Sequence, residues 1–355
     1  MAKNLVVCCD GTWNLAGQKN PTNVVKIKSA VPDRAADGTV QKVHYEDGVG
    51  NRRWEKLRGG AFGWGLSEKV LSAYGFLIKN YEPGDRLYLF GFSRGAYTAR
   101  SLAGLVRNSG ILRREHASRV KEAWELYRAP DRDPRDEAAV RFRTAYSHEP
   151  EIRFIGVWDT VGELGVPVPR SRLLKPLAML VNRRWAFHNT TLSTRVNGAF
   201  HALAIDEKRQ VFEPTLWNQQ PEAVALGQEM KQVWFSGAHV DIGGGYPDTV
   251  QSDRTLRWMV ANARRYDLEV DLGVRATDAF PGPGPLHDSY TKLFKVFRPL
   301  HRPIGRARDK KSGLSDGCEY LAVTAKKRYD DDTGYRPPEL VTYLRDFGDT
   351  RVDPN

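Results

Sequence analysis

Short apolar runs recur along the chain, and each is followed by a polar loop that contains glycine or aspartate. A run that is apolar at every position is typical of a parallel strand, because both faces of such a strand are buried. Apolar residues also recur at helical spacing from Leu66 to Tyr81, which predicts an amphipathic crossover helix. Together these patterns predict an α/β fold with a mostly parallel sheet and helices on both faces. The predicted strands are 4–9, 41–45, 87–90, 151–158 and 232–237, and the last of these is predicted to end the sheet.

The third run leads into Gly91-Phe92-Ser93-Arg94-Gly95 and then into a helix-compatible segment rich in small residues. A strand, a tight turn with serine at its apex and a helix form the nucleophile elbow of α/β-hydrolases. Glycines flank the serine because a Cβ at those positions would collide with the crossing backbone. The alternative is an ordinary strand-to-helix turn in which Ser93 is only an N-cap. We favour the catalytic interpretation.

The first strand ends in Asp10-Gly11-Thr12, on the edge of the sheet where ligands of open α/β sheets bind. In a hydrolase this loop supplies one backbone N–H of the oxyanion hole, from Gly11 or Thr12, and Arg94 supplies the other. A similar Asp-Gly-Thr occurs in haloacid-dehalogenase phosphatases, two residues after a nucleophilic aspartate. Cys8 occupies that earlier position here, which favours the hydrolase interpretation.

An acid and a base follow at later strand ends. Asp159 follows the strand at 151–158, and His239 lies on a glycine-rich loop after the strand at 232–237. Ser93, Asp159 and His239 then have the serine–acid–histidine chain order of α/β-hydrolases. Asp241 either orients His239 or is structural. A metal site at His239 and Asp241 is a weak alternative, since two ligands without clear others rarely hold an ion.

Two further histidines are reserve candidates for the base. His201 lies in Thr194–Ile205, a segment that we expect to be helical, and a histidine in such a setting is more often a satisfied core residue. His287 follows a proline- and glycine-rich loop and is the second choice if the final strand lies further along.

Net charge, cysteine content and the lengths of the apolar segments indicate which partners and which compartment to expect. The 355 residues carry a net charge of +11, which favours acidic partners such as an anionic membrane surface, although on charge alone a basic solvated surface is the preferred explanation. We expect no specific nucleic-acid partner. Cys8 and Cys9 are neighbours on a strand and so poor disulfide partners, and few unpaired cysteines suit a reducing compartment. We find no signal-peptide pattern and no apolar segment long enough to span a bilayer, so we expect cytoplasmic synthesis, with specialised export left open.

We expect one hydrolase-like domain over residues 1–355, without a linker or repeat. Helical insertions are predicted at about 110–150 and 163–200, and a basic, loop-rich part at about 280–355. Within the second insertion, Leu173–Val181 is apolar and edged by arginines, as an interfacial lid or a core helix would be. The basic stretch at 297–311 is interpreted as a solvated loop, with an anionic-surface contact as the alternative.

The ordered motifs resemble an uncharacterised α/β-hydrolase family that includes the catalytic domain of type VI secretion phospholipase effectors. The resemblance implies an α/β-hydrolase fold, a serine nucleophile, matched by Ser93, and, for the effector members, phospholipase A activity on membrane lipids. The mechanism that we expect needs no cofactor. The acid and base are carried over to Asp159 and His239. The motifs are Cys9-Asp10-Gly11-Thr12-Trp13-Asn14, Tyr45-Glu46-Asp47-Gly48-Val49-Gly50, Gly91-Phe92-Ser93-Arg94-Gly95-Ala96, Val157-Trp158-Asp159-Thr160-Val161-Gly162, His201-Ala202-Leu203-Ala204-Ile205-Asp206-Glu207 and His239-Val240-Asp241-Ile242-Gly243-Gly244-Gly245-Tyr246.

We therefore expect a serine hydrolase that cleaves carboxylic esters, of lipids or phospholipids, through a Ser-His-Asp triad and an acyl-enzyme. Two rival functions stay open. One is a phosphate-ester hydrolase that depends on Asp10. The other is a catalytically inactive hydrolase-fold module that binds anionic surfaces.

Overall fold

The computed structural model describes residues 2–11, 14–48, 62–129, 133–162, 190–273, 282–291, 294, 299–305 and 318–354. Several sequence predictions fall wholly or partly outside these residues. They include Thr12, most of the insertion at about 163–200 with its apolar segment at 173–181, and parts of the C-terminal region at about 280–355 with its basic stretch at 297–311. None of the helices in the described ranges has the length and hydropathy needed to cross a bilayer.

An eight-stranded sheet forms the centre of the described structure, and all of its strand pairs are parallel. The strand order is β2-β1-β3-β6-β7-β8-β9-β10, and β4 and β5 form a separate antiparallel pair. The strands are β1 (Asn4–Cys9), β2 (Gln41–Glu46), β3 (Arg86–Phe92), β4 (Ile111–Leu112), β5 (Ser147–His148), β6 (Ile152–Trp158), β7 (Val196–Ala204), β8 (Glu229–Phe235), β9 (Glu319–Ala322) and β10 (Val352–Asp353).

Strand order reverses at β1, and this reversal positions the site. The chain begins in β1, moves outward to β2 and then crosses back to β3 on the other side of β1. In open parallel sheets a crevice opens at such a switch point, at the carboxyl ends of the strands. The loop after β1 and the serine turn after β3 therefore meet at one edge.

Helices cover both faces of the sheet and build two buried apolar clusters. Alternate residues of β1 enter different clusters, so Cys8 lies on one face and Cys9 on the other, and neither forms a disulfide. The helices are α1 (Asn23–Ala30), α2 (Phe62–Asn80), α3 (Arg94–Ser109), α4 (Val120–Arg128), α5 (Glu137–Tyr146), α6 (Pro221–Ala225), α7 (His239–Gly243), α8 (Val250–Arg265), α9 (Val323–Asp331) and α10 (Pro338–Phe347). The helices α1, α8, α9 and α10 pack on the face that contains Cys8, and α2, α3 and α4 pack on the face that contains Cys9.

Two predictions about the sheet were wrong. The segment Thr194–Ile205 is not a helix, because Val196–Ala204 forms β7 between β6 and β8. This strand is buried on both faces, so it lacks the two-residue alternation that would have marked it as a strand. The strand β8 is also not the last, since β9 and β10 extend the sheet beyond it.

Candidate active site

Ser93 occupies the turn between β3 and α3. Its backbone has φ 58° and ψ −121°, a conformation that L residues rarely adopt. Holding a residue there costs on the order of 1–3 kcal/mol, which the packing of β3 and α3 must offset. The side chain makes no N-cap hydrogen bond to the helix that follows, so Ser93 is not the ordinary cap of the alternative interpretation. Only 6% of the residue is exposed.

The two glycines of the turn are required by space, as the sequence predicts. A Cβ on Gly91 would lie 2.5 Å from the carbonyl oxygen of Gly95, and a Cβ on Gly95 would lie 2.1 Å from the carbonyl oxygen of Cys9. Real Cβ atoms do not approach so closely. Gly95 thus lets α3 begin directly against the end of β1, which brings the serine turn beside the loop that starts at Asp10.

The backbone hydrogen bonds between the strands continue past the strand ends and align Asp159 with Ser93. The N–H of Ser93 donates to the carbonyl of Trp158 (3.0 Å), and the N–H of Asp159 donates to the carbonyl of Ala202 (2.7 Å). Asp159 therefore follows its strand at the same level of the sheet as Ser93 follows β3. It is completely buried.

His239 is the first residue of α7, a short helix where the sequence predicts a loop. The Oδ2 atom of Asp241 accepts a hydrogen bond from the N–H of Ala238 (2.9 Å), which stabilises the start of this helix. The imidazole of His239 lies between the rings of Phe92 and Phe212, each with its centroid 4.7 Å away. These contacts leave the ring little freedom to rotate.

The structure brings Ser93, His239 and Asp159 together. The Nε2 atom of His239 lies 2.8 Å from Oγ of Ser93, and Nδ1 lies 2.5 Å from Oδ2 of Asp159. If Nδ1 carries the proton and donates it to the carboxylate, Nε2 is left to accept the serine proton. This is the arrangement that a serine nucleophile and its general base require.

Asp159 also forms a buried ion pair with Arg302, which the sequence did not predict. The guanidinium donates to Oδ1 at 2.7 Å and to Oδ2 at 3.1 Å. Burial alone would raise the pKa of Asp159, but Arg302 and the His239 hydrogen bond outweigh it and hold that pKa well below its usual range. The carboxylate is consequently charged throughout the neutral and mildly acidic range.

The loop after β1 lies against the serine. A Cβ on Gly11 would be 3.2 Å from Cβ of Ser93, so the backbone of Gly11 borders the predicted oxyanion position. The N–H of Gly11 donates to Oδ1 of Asp10 (2.7 Å) in this structure, so it is already engaged. Arg94 is the first residue of α3, at the helix end whose N–H groups have no acceptor within the helix.

Asp10 has the contacts of a residue that holds this loop in place. Its Oδ2 atom accepts hydrogen bonds from the hydroxyls of Thr22 and Tyr45, both at 2.8 Å. Burial raises the pKa of Asp10 to about 6, and these hydrogen bonds oppose the rise. Among the described residues, no group of three or more His, Cys, Asp and Glu side chains is arranged to hold a metal ion.

Asp241 and His287 form a pair of their own. The Nδ1 atom of His287 lies 2.6 Å from Oδ1 of Asp241, and the N–H of His287 donates to Oδ2 (3.2 Å). The His287 ring stacks on Tyr246 at a centroid distance of 4.0 Å. Asp241 therefore contacts His287 and the start of α7, while the His239 ring is oriented by Asp159.

His201 is a fully buried residue of β7. Its Nε2 atom accepts a hydrogen bond from the N–H of Thr160 (3.0 Å), and Nδ1 lies 3.4 Å from Oε1 of Gln232. Burial, reinforced by the charge of Arg100, lowers the pKa of His201 to about 3. The ring is thus a neutral acceptor that supports the turn after Asp159.

Sequence reasoning missed three residues around the imidazole. They are Arg302, Phe212 and Glu207, whose Oε2 atom accepts a hydrogen bond from the N–H of His239 (3.3 Å). Glu207 is the last residue of the motif that begins at His201, so its position at the edge of the sheet could have been inferred from the sequence. Arg302 and Phe212 lie in segments without strand or helix periodicity, and nothing local marks them.

The fold and this edge of the sheet define an α/β-hydrolase-like protein. A model of the family described as "T6SS, Phospholipase effector Tle1-like, catalytic domain" matches residues 3–262, so the chain belongs to this family. It is 31% identical over 243 residues to the uncharacterized protein YEL023C of Saccharomyces cerevisiae, a match that covers 62% of this chain and 33% of the yeast protein. The matched region thus spans about a third of that relative.

Similar solved structures include an uncharacterized protein from Pseudomonas aeruginosa (17% identity, TM-score 0.42, 76% of this chain and 46% of that chain). The Tle1 effector bound to the VgrG spike has 18% identity and a TM-score of 0.37, over 70% of this chain and 51% of that chain. A lipase/esterase from Lactobacillus plantarum has 13% identity and a TM-score of 0.34, over 74% of this chain and 86% of that chain.

Proposed function

We propose that this chain is a serine esterase of the phospholipase A type, which cleaves carboxylic esters of membrane lipids through Ser93, His239 and Asp159. The observation that carries the proposal is the continuous pair of contacts from Oγ of Ser93 to Nε2 of His239 (2.8 Å) and from Nδ1 to Asp159 (2.5 Å). The strained backbone of Ser93 supports it, because such strain is typical of a nucleophile held on an elbow.

In the first half of the reaction, Oγ of Ser93 attacks the ester carbonyl while Nε2 of His239 takes the hydroxyl proton. Asp159 accepts the Nδ1–H bond and stabilises the imidazolium that forms. When the tetrahedral intermediate collapses, the carbon–oxygen bond to the alcohol breaks, and His239 returns the proton to that alcohol. The acyl group remains bound to Ser93 as an ester.

In the second half, a water molecule enters where the alcohol has left and attacks the carbonyl of the acyl-enzyme. His239 removes a proton from the water, the acyl–serine bond breaks, and Oγ of Ser93 regains the proton. The fatty acid leaves, and the enzyme returns to its initial state. No cofactor enters this scheme.

The oxyanion of both intermediates needs backbone donors, and we propose the N–H of Arg94 as the first. The second would come from Gly11 or from Thr12, which lies outside the described residues. Use of Gly11 requires its N–H to turn from Oδ1 of Asp10 toward the substrate. Losing one such donor typically costs about 3 kcal/mol of transition-state stabilisation.

The lipid substrate rests on membership of the Tle1-like family, and the net charge of +11 is consistent with action at an anionic membrane surface. Export through a secretion system remains a prediction from the same family. Vesicles of phosphatidylcholine, with and without added phosphatidylglycerol, would test the surface preference. We expect faster hydrolysis on the anionic vesicles and a loss of this difference at high salt.

The proposed chemistry is tested with p-nitrophenyl esters and with phosphatidylcholine vesicles. We expect the wild-type protein to release p-nitrophenol and free fatty acid, and Ser93→Ala to lose on the order of 10⁴–10⁶ of this rate while keeping its circular dichroism spectrum. Full esterase activity in a folded Ser93→Ala protein would refute the triad. Magnesium-dependent hydrolysis of p-nitrophenyl phosphate by that variant would point instead to Asp10.

A further inference from the structure

Arg302 is a buried arginine in a segment that the sequence predicts to be solvated. Its side chain is inaccessible to solvent, and the nearby Ile304 is part of an apolar cluster. The N–H of Leu300 donates to the carbonyl of Lys208 (2.8 Å), which fixes this segment to the chain that follows β7. Arg302 also lies beyond residues 3–262, the part that the family model matches.

The guanidinium of Arg302 connects three parts of the site. Its two terminal nitrogens reach both oxygens of Asp159, a bidentate geometry that fixes the carboxylate plane. One nitrogen also donates to the carbonyl of Ala204 (2.8 Å), and the other donates to the carbonyl of Phe212. The Phe212 ring packs against the imidazole of His239. Arg302 therefore holds both Asp159, whose carboxylate pairs with the imidazole, and Phe212, whose ring contacts it.

The charges around the imidazole give Arg302 an electrostatic role as well. Asp159 at the end of β6 and Glu207 after β7 are both negative and both face His239, and Arg209 pairs with Glu207 at 2.8 Å. His201 is neutral in this neighbourhood. Arg302 therefore supplies the positive charge that balances Asp159. Without it, the imidazolium form of His239 would be favoured by an uncompensated carboxylate.

We propose that Arg302 is a positioning residue of the catalytic apparatus. It fixes Asp159 and Phe212 so that His239 faces Ser93, and its positive charge offsets the carboxylate that pairs with the imidazole. This inference rests on the proposed serine hydrolase function. It adds a residue from the C-terminal part of the chain to the catalytic apparatus of the family-matched region.

The test compares Arg302→Met and Arg302→Lys with Arg143→Met. Arg143 is a matched control, because it is also a buried arginine that donates to one carboxylate, of Glu149, and to two backbone carbonyls. We expect Arg302→Met to lower kcat by about 10- to 100-fold with little change in KM. In Arg302→Met, the acidic limb of the pH profile of kcat/KM should move up by about one pH unit, because His239 would hold its proton more tightly. Arg143→Met should reduce thermal stability without moving that limb.

Arg302→Lys keeps the charge but loses the bidentate fork. We expect a lower kcat in this variant, by about tenfold, with the acidic limb close to that of the wild type. If Arg302→Met does not fold, Arg302→Lys serves as the test. An unchanged kcat in Arg302→Lys would overturn the positioning role. Equal kcat and equal pH profiles for Arg302→Met and Arg143→Met would overturn it as well.

A separate readout distinguishes failure of this inference from failure of the proposed function. The imidazole of His239 can be titrated by NMR in Ser93→Ala and in Ser93→Ala/Arg302→Met, with no turnover required. A higher His239 pKa in the double variant supports the role of Arg302 even if the wild-type protein hydrolyses no ester. Equal pKa values would refute the electrostatic part of the inference.

Discussion

One short helix contributes to two histidine–aspartate pairs that have similar Nδ1–carboxylate distances and different surroundings. His239 and Asp241 both belong to α7, and each pairs with a residue from another part of the chain. The Nδ1–carboxylate distances are 2.5 Å for His239–Asp159 and 2.6 Å for His287–Asp241. The distance alone therefore does not identify the catalytic pair.

The surroundings separate the two pairs. The His239 side chain is 4% exposed, lies between two aromatic rings and faces Oγ of Ser93. The His287 side chain is 33% exposed and stacks on Tyr246, and its nearest hydroxyl-bearing neighbour in sequence, Ser289, donates to Glu207. We therefore propose His239 as the base, because its second nitrogen faces Oγ of Ser93 and its ring contacts two aromatic rings.

The carboxylates differ in the same way. Asp159 is balanced by the buried Arg302, whereas Asp241 accepts the N–H of Ala238 and so stabilises the start of α7. We therefore propose that His239–Asp159 is a catalytic pair and Asp241–His287 a structural pair, although both consist of the same two residue types. Three substitutions make this distinction measurable, and a fourth tests His201, a buried histidine outside both pairs.

The largest effect is expected from His239→Ala. Removing the base leaves Ser93 without a proton acceptor, so kcat for p-nitrophenyl ester hydrolysis should fall by about 10⁴- to 10⁶-fold. Steady-state kinetics measure the loss, and circular dichroism checks the fold. A loss smaller than tenfold in a folded protein would mean that another group is the base.

Asp159→Asn should follow, with a loss of about 10⁴-fold in kcat. The amide nitrogen cannot accept the Nδ1–H bond, so the imidazole would adopt the wrong tautomer, and Arg302 would face an uncharged partner. The rate should be measured from pH 6 to pH 9, with Asp241→Asn as the matched control. Equal losses in the two variants would contradict the assignment of the acid.

His201→Asn should change stability rather than activity. The folded pKa of about 3 lies below the ordinary value of 6.5, so the unfolded chain binds a proton in this range and the folded chain does not. The stability that this difference confers is complete above pH 6.5 and is lost as the pH falls. Between pH 6 and pH 5, urea unfolding should show the wild type losing about 1 kcal/mol more stability than the variant. Parallel pH dependences would show that His201 is protonated in the folded state.

The smallest effect is expected from His287→Gln. Asp241 would keep its hydrogen bond from Ala238, and the Ser93–His239 contact would be untouched, so kcat should change by less than about threefold. The same ester assay that is used for His239→Ala provides the measurement. A loss comparable to that of His239→Ala would reverse the comparison between the two pairs.

Some of these features can be predicted from the sequence because their causes are local. The serine turn is one, since Gly91 and Gly95 are needed wherever a strand and helix cross this closely. Strand ends such as Asp159 are another, because parallel strands place their carboxyl ends on one edge. The family resemblance predicted the fold for the same reason, because its motifs include the residues at those strand ends.

The remaining features depend on contacts between distant segments. Arg302 and Asp159 are 143 residues apart, and a single arginine in a basic, proline-rich stretch carries no sign of burial. The strand β7 was mistaken for a helix because both of its faces are covered, and β10 is a two-residue edge strand with almost no pattern. The pairing of Asp241 with His287 depends on a loop crossing that periodicity does not encode.

Labelling with a fluorophosphonate probe would show whether His239, and not His287, activates Ser93. Intact-protein and peptide mass spectrometry would locate the covalent adduct in the wild type, His239→Ala and His287→Gln. We predict rapid labelling of Ser93 in the wild type and in His287→Gln, and labelling at least 10³-fold slower in His239→Ala. Rapid labelling of Ser93 in His239→Ala, or an adduct on a residue other than Ser93, would contradict the proposal that His239 activates Ser93.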